Sequence, residues 1–128
     1  MTSSPHELTG AGSVSALAAG SQRDALWEHC RNNLGIARLL LHEGRPGPFV
    51  ATACRMAVES ACRAALAQAG LPFEGNAERG FARLSAPRSL WDETRVGSAA
   101  GCLDAAEGVV AWTARYLRRE APEHSWGY

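Results

Sequence analysis

The stretch that decides the fold is residues 48–70, PFVATACRMAVESACRAALAQAG, in which small apolar residues recur at helical spacing. Each member of the stripe lies three or four residues from the next, which is typical of one face of an α-helix. Pro48 suits the first turn, and Gly70 followed by Pro72 is a typical helix end. The sequence therefore predicts a helix over 48–69 that a neighbouring helix can approach closely. Its stripe is Val50, Ala53, Ala57, Ala61 and Ala64, and Phe49, Met56 and Leu66 widen it.

A second helix is predicted before this stretch, over residues 22–43. Ser21 is a suitable N-cap, and Gly44 followed by Pro46 ends the pattern. About four residues then separate the two helices, so they are expected to form an antiparallel hairpin. The apolar stripe of this helix is Trp27, Cys30, Leu34, Ala37 and Leu41.

The remainder of the chain predicts one more long helix and a broken segment. Glycines and a proline divide residues 71–97, where one helix is expected over 76–84 and a turn or two over 88–95. The last long helix is expected over 98–119. Its stripe is Leu103, Ala106, Val110, Thr113 and Leu117.

These elements predict an all-α fold, because no segment alternates apolar and polar residues as a strand would. The expected architecture is an up-down antiparallel bundle of four to five helices over residues 21–120. Residues 1–20, rich in Ser, Gly, Thr and Ala, are expected to be a flexible leader, and residues 121–128 a C-terminal tail. A chain of 128 residues fits one such domain.

Charge and cysteine content exclude several classes of protein. Thirteen acidic residues balance thirteen basic ones, all of them Arg, which argues against a broad DNA-binding surface. No apolar run is long enough for a membrane span, and no signal peptide precedes the first helix. The cysteines show no metal-ligand spacing, so neither a metal nor a cofactor is expected. They are predicted to be buried free thiols of a cytoplasmic protein: Cys30, Cys54, Cys62 and Cys102.

Five charged residues on the predicted hairpin are candidates for contacting a ligand or partner. Arg55, Glu59 and Arg63 lie at i, i+4 and i+8, so they share one stripe. Arg31 and Arg38 are seven residues apart and nearly superposed on the first helix. The alternative interpretations are a solvated ion pair between Glu59 and Arg63, and arginines whose stems cover the edge of the core.

A catalytic alternative concerns Arg119 and His124. An arginine that holds a phosphate and a histidine that moves a proton are what metal-independent RNA cleavage requires. Pro122 breaks the helix between the two residues, and the competing interpretation is an ordinary charged tail.

Residues 49–66, FVATACRMAVESACRAAL, resemble the second helix of HEPN domains, in which Glu is followed four residues later by a basic residue. Glu59 and Arg63 take those places, and Gly70 follows. The first helix and the AAEGVV stretch at 105–110 also fit the family's long helices, so the resemblance covers about residues 22–119.

This resemblance implies an up-down helical bundle that forms a homodimer. HEPN proteins accompany nucleotidyltransferases or act as RNases in toxin–antitoxin and defence systems. The RNase members carry an Arg-x4-6-His motif near the start of the final long helix. Here Arg95 lies near that start but no histidine follows it at the required spacing, which favours a non-catalytic member.

The leading hypothesis is thus a non-catalytic, HEPN-like module that acts as a dimer. It would bind or regulate a nucleotide, RNA or a protein partner such as a nucleotidyltransferase. A toxin- or defence-type ribonuclease using Arg119 and His124 is one alternative, and a helical interaction domain without any nucleic-acid connection is another. The ligand- or partner-binding candidates are Arg31, Arg38, Arg55, Glu59 and Arg63.

Overall fold

A computed structural model describes residues 4–92 and 97–120, with side chains for 20–92 and 97–119. These residues form four α-helices and, within the described ranges, no strand, so the predicted all-helical class is confirmed. In the same ranges, no helix is both long and apolar enough to cross a membrane. The helices are α1 (Ser4–His42), α2 (Gly47–Ala69), α3 (Ala77–Arg83) and α4 (Ala99–Glu120).

Helix α1 begins at Ser4, so the predicted start of this helix near residue 22 is wrong. The helical backbone includes residues 4–20, which the sequence assigns to a leader. Pro5 is compatible with a first helical turn, and the stretch ALAA at 16–19 has good helix propensity. Residues 4–20 lack an apolar period, which is why pattern reasoning places them outside the helix.

Helix α2 is the element against which every other helix packs. Its whole predicted stripe is buried, together with Cys54, Val58 and Leu66. Near its C-terminal end, the Nη1 atom of Arg23 on α1 donates a 2.6 Å hydrogen bond to the Oε1 atom of Gln68. Since only residues 43–46 join α1 to α2, this contact confirms that the two helices run antiparallel.

Helix α2 ends at its C-cap residue Gly70, as the sequence predicts. Gly70 adopts the left-handed conformation with φ of 74°, which costs a glycine little because it has no Cβ. Its N–H donates to the Ala67 carbonyl, and the Leu71 N–H donates to the Leu66 carbonyl. These bonds satisfy carbonyls that the last turn would otherwise leave without partners.

The predicted broadening of the α2 stripe is correct for Leu66 and wrong for Phe49 and Met56. Leu66 is buried, whereas Phe49 and Met56 are exposed. Helices α1, α3 and α4 cover the rest of the α2 circumference, and no described element covers the side that carries these two residues. A widened apolar stripe is buried only where a neighbouring element exists to cover it.

The short helix α3 lies against α2 and α4. It begins at Asn76, whose side chain accepts a hydrogen bond from the Arg79 N–H at 2.9 Å. Gly80 lies against Cys62 of α2. The ring of Phe81 meets Trp112 of α4 edge-on, with 5.6 Å between centroids. These contacts join α3 to both of the longer helices.

Helix α4 runs in the same direction as α2, because its first turn lies near that of α2 and Gly47 approaches Ala99. Leu103, Ala106 and Thr113 are buried as predicted. The buried face also takes in Val109 and Tyr116, while Val110 and Leu117 are only half-buried. The core face is therefore turned slightly from the predicted stripe, towards α3.

Candidate ligand-binding groove

The described surface carries a polar groove between α1 and α4, with a volume of about 380 Å³. Two of the predicted site residues, Arg31 and Arg38, line it from α1. They lie on the α1 face next to α4 because positions seven apart are almost superposed on a helix. The other lining residues are Trp27, Glu28, Asn32, Leu34 and Val110.

The two arginines of the groove differ in what holds them. The Arg38 Nε atom donates a 2.8 Å hydrogen bond to the Glu107 Oε2 atom, which forms an ion pair between α1 and α4. The Arg38 side chain is 56% exposed and that of Glu107 38%, so this pair contributes about 0–1 kcal/mol. No hydrogen bond or ion pair within the described residues engages Arg31. Its guanidinium is therefore available to a ligand.

Trp27 is a groove residue that the sequence assigns to the core. Its ring packs partly against the core cluster, and the rest of it lines the groove beside Arg31. A half-buried indole that lines a groove can stack against a flat ring. The only sequence signal for this role is that Trp27 lies one helical turn before Arg31.

The remaining predicted site residues lie on α2, away from this groove. Arg63 donates to the Glu59 Oε2 atom through Nε at 3.0 Å and Nη2 at 2.8 Å, which confirms the predicted i,i+4 ion pair. The Arg63 guanidinium also stacks over the ring of Phe73, 4.1 Å from its centroid. Arg55 lines a separate shallow groove between the first turns of α2 and α4. The five candidates are thus distributed over three places.

The residues of the catalytic alternative are only partly described. Arg119 is exposed in the last turn of α4. His124 lies outside the described residues. The predicted pairing of Arg119 with His124 therefore stays a prediction.

The cysteines are free thiols, as predicted, with Cys102 half-buried and the other three buried. Burial raises the pKa of the Cys30 thiol to about 12, although the guanidinium of Arg31 acts in the opposite direction. Burial also raises the pKa of Cys54 to about 12, and the neighbouring Cys102 thiol adds to the effect. Both Cys30 and Cys54 therefore stay protonated in the folded protein at neutral pH.

We expect the free energy of unfolding to fall as the pH rises from about 9 towards about 12. In that window an unfolded Cys30 thiol ionises while the folded one remains protonated, so the unfolded state binds fewer protons. Cys30 alone contributes a slope of up to about 1.4 kcal/mol per pH unit. Urea unfolding of Cys30→Ala at pH 8, 9 and 10, under reducing conditions, should give a shallower decline than the wild type. An identical decline would contradict the assignment.

A smaller cavity of about 250 Å³ lies beside the first turns of α4, where Trp91, Asp92 and Cys102 form part of its wall. Among the described side chains, no cluster of His, Cys, Asp or Glu is arranged to hold a metal ion.

The groove between α1 and α4 carries side chains that can bind a ligand. It combines a guanidinium that no other described residue engages, a second guanidinium in a weak ion pair, an amide from Asn32 and a half-buried indole. Guanidinium groups bind phosphates through charge-assisted hydrogen bonds, and an indole stacks on a base.

Compared with protein-family models, curated proteins and solved structures, the chain matches none of them.

Proposed function

We propose that this chain is a non-catalytic, HEPN-like helical module that acts as a homodimer and binds a nucleotide or single-stranded RNA in the groove between α1 and α4. The observation that carries the ligand part of this proposal is the position of Arg31. Its guanidinium has no acidic partner within the described residues and shares a groove with Trp27 and Arg38. The HEPN-like part is supported by the sequence of α2, with Glu59 and Arg63 in one ion pair.

The groove residues Trp27, Arg31 and Arg38 follow one another in a row along α1. Trp27 lies one helical turn from Arg31, and Arg38 lies about 10 Å further along the helix axis. In the proposed complex a base stacks on Trp27, and phosphates of the strand lie beside Arg31 and Arg38. The volume of about 380 Å³ suits a ligand of one to two nucleotides.

The acidic residues of the groove determine where a phosphate binds. Glu28 lies on the side of Arg31 away from Arg38, so its carboxylate repels a phosphate from that end. Glu107 holds Arg38 through an exposed pair, which an incoming phosphate can replace at small cost. The favoured position for a phosphate is consequently between Arg31 and Arg38.

This function is tested by fluorescence anisotropy with an end-labelled single-stranded RNA oligomer, and with AMP as competitor. Arg31→Ala is expected to weaken RNA binding by roughly 10- to 100-fold, because a charge-assisted hydrogen bond contributes about 1.5–3 kcal/mol. Two phosphate contacts predict a salt dependence of about −1.4 for log K against log salt, and Arg31→Ala should reduce its magnitude by about 0.7.

Arg88→Ala is the matched control, since Arg88 is an exposed arginine outside the groove, and its affinity for RNA should equal that of the wild type. Equal binding by Arg31→Ala and the wild type, or no binding of RNA or AMP at all, would overturn the ligand part of the proposal. Shortening of the RNA during the assay would instead support the ribonuclease alternative.

A further inference from the structure

We propose that a second copy of this chain docks on the apolar face formed by Ile36, Leu39, Phe49 and Met56, here named the hairpin face. This inference rests on the homodimer part of the proposed function and identifies the surface that forms the dimer. The four residues are the exposed large hydrophobic side chains of the described part of the chain, with exposures of 47%, 55%, 59% and 51%. All of them belong to α1 or α2.

The four residues lie on one side of the hairpin. Arg23 lies opposite Gln68, and since the helices are antiparallel this places Ile36 level with residues 55 and 56. Ile36 is about 200° and Leu39 about 140° around α1 from Leu34, which faces the groove with α4. The hairpin face is therefore the side of α1 and α2 that points away from α4.

On α2 the same direction follows from helix geometry. Met56 is about 200° around the helix from Cys54, whose thiol lies beside Cys102 of α4. Phe49 is seven residues before Met56 and so lies almost directly below it. Both residues consequently point to the side of the hairpin that no described element covers.

The apolar area fits what a homodimer buries. About half of each of four side chains is exposed, and roughly 200 Å² for a fully exposed side chain of this size gives a patch of about 400 Å². A standard interface buries about 800 Å² on each partner, and homodimer interfaces are about 65% apolar. The hairpin face thus supplies most of the apolar area that one partner needs. The polar residues around the hairpin face supply the polar part of the interface area.

The charges beside the patch select a second copy as the occupant. Glu59 and Arg63 form a minus–plus stripe along α2, next to Met56, whereas Arg55 lies on the side of α2 nearer α4. When two α2 helices meet antiparallel about a two-fold axis, a shift of one turn places each Glu59 opposite an arginine of the other copy. The stripe is therefore self-complementary, as an isologous interface requires. The net charge of zero also avoids repulsion between the copies.

The test is the oligomeric state of the full chain, measured by sedimentation equilibrium over a range of concentrations. The wild type is expected to be a dimer, and Met56→Glu and Phe49→Glu should each raise the dissociation constant at least ~100-fold, because every substitution occurs twice in the interface. Ala111→Glu, which adds the same charge at an exposed position on α4, is the control and should remain dimeric. Circular dichroism checks that each variant is folded.

A charge reversal tests the stripe separately. Glu59→Arg gives two like charges and should weaken the dimer, whereas the double variant Glu59→Arg, Arg63→Glu is again self-complementary and should recover it. A dimer that neither Met56→Glu nor Phe49→Glu weakens would overturn the hairpin face alone. A wild type that stays monomeric at every concentration would overturn the homodimer as well, while RNA binding in the groove is measured independently.

Discussion

Replacing Leu66 by alanine is expected to lower the free energy of unfolding by about 3 kcal/mol. Leu66 is the largest fully buried side chain and lies where α2 meets α3, close to Gly80. Leucine-to-alanine changes at such sites cost about 2–5 kcal/mol, because transfer free energy is lost and a cavity remains. A domain of this size has a total stability of only about 5–15 kcal/mol. Urea unfolding followed by circular dichroism measures the change.

Leu117→Ala is the comparison for this prediction. Leu117 is half-buried near the end of α4 and lies outside the core cluster, so the same substitution should cost about 1 kcal/mol or less. Equal losses for the two variants would show that the contact between α2 and α3 is not the tightly packed centre described above.

Gly80→Ala is expected to cost about 1–3 kcal/mol, although alanine is the better helix former. A Cβ atom at this position would collide with the Cys62 Sγ atom and lie 3.2 Å from the Leu66 Cδ1 atom. Both neighbours are fully buried in α2, so α3 must move away from α2 to make room. Overpacking of this kind costs about 1–3 kcal/mol, which exceeds the gain of about 1 kcal/mol in helix propensity.

Two further variants separate packing from propensity. Gly108→Ala in α4 meets nothing within 4 Å and is expected to raise the stability by up to about 1 kcal/mol. In a Cys62→Ala background the colliding sulfur is gone, so Gly80→Ala should cost at least ~1 kcal/mol less than in the wild type. Additive losses from Gly80→Ala and Cys62→Ala would rule out the collision as the cause.

The helices that the sequence predicts most closely are those with both an apolar stripe and clear end signals. For α2 the predicted range of 48–69 compares with Gly47–Ala69, and for α4 the range of 98–119 compares with Ala99–Glu120. Pro48 and Gly70 act locally, so their effect can be read without knowing the tertiary structure. The start of α1 has no apolar period to mark it, and for this reason only its C-terminal end is predicted closely.

The groove is less predictable because it depends on how α1 and α4 pack. The sequence identifies Arg31 and Arg38 from their spacing on one helix. It does not identify Glu107, because the partner of Arg38 lies 69 residues further along the chain. It assigns Trp27 wholly to the core, because an apolar stripe does not show which of its residues a neighbouring helix covers. Phe49 and Met56 are misplaced for the same reason.

The composition of α2 also limits how this protein can change over evolutionary time. Its buried face consists mainly of alanine and cysteine, and three other helices rest on it. Larger core side chains lie both on α2, at Leu66, and on the surrounding elements, among them Leu34, Phe81 and Leu103. Sequence drift on those elements can exchange one large apolar residue for another of similar volume. On α2 any enlargement pushes a neighbouring helix away, so residue size, more than hydrophobicity, restricts the substitutions that this helix accepts.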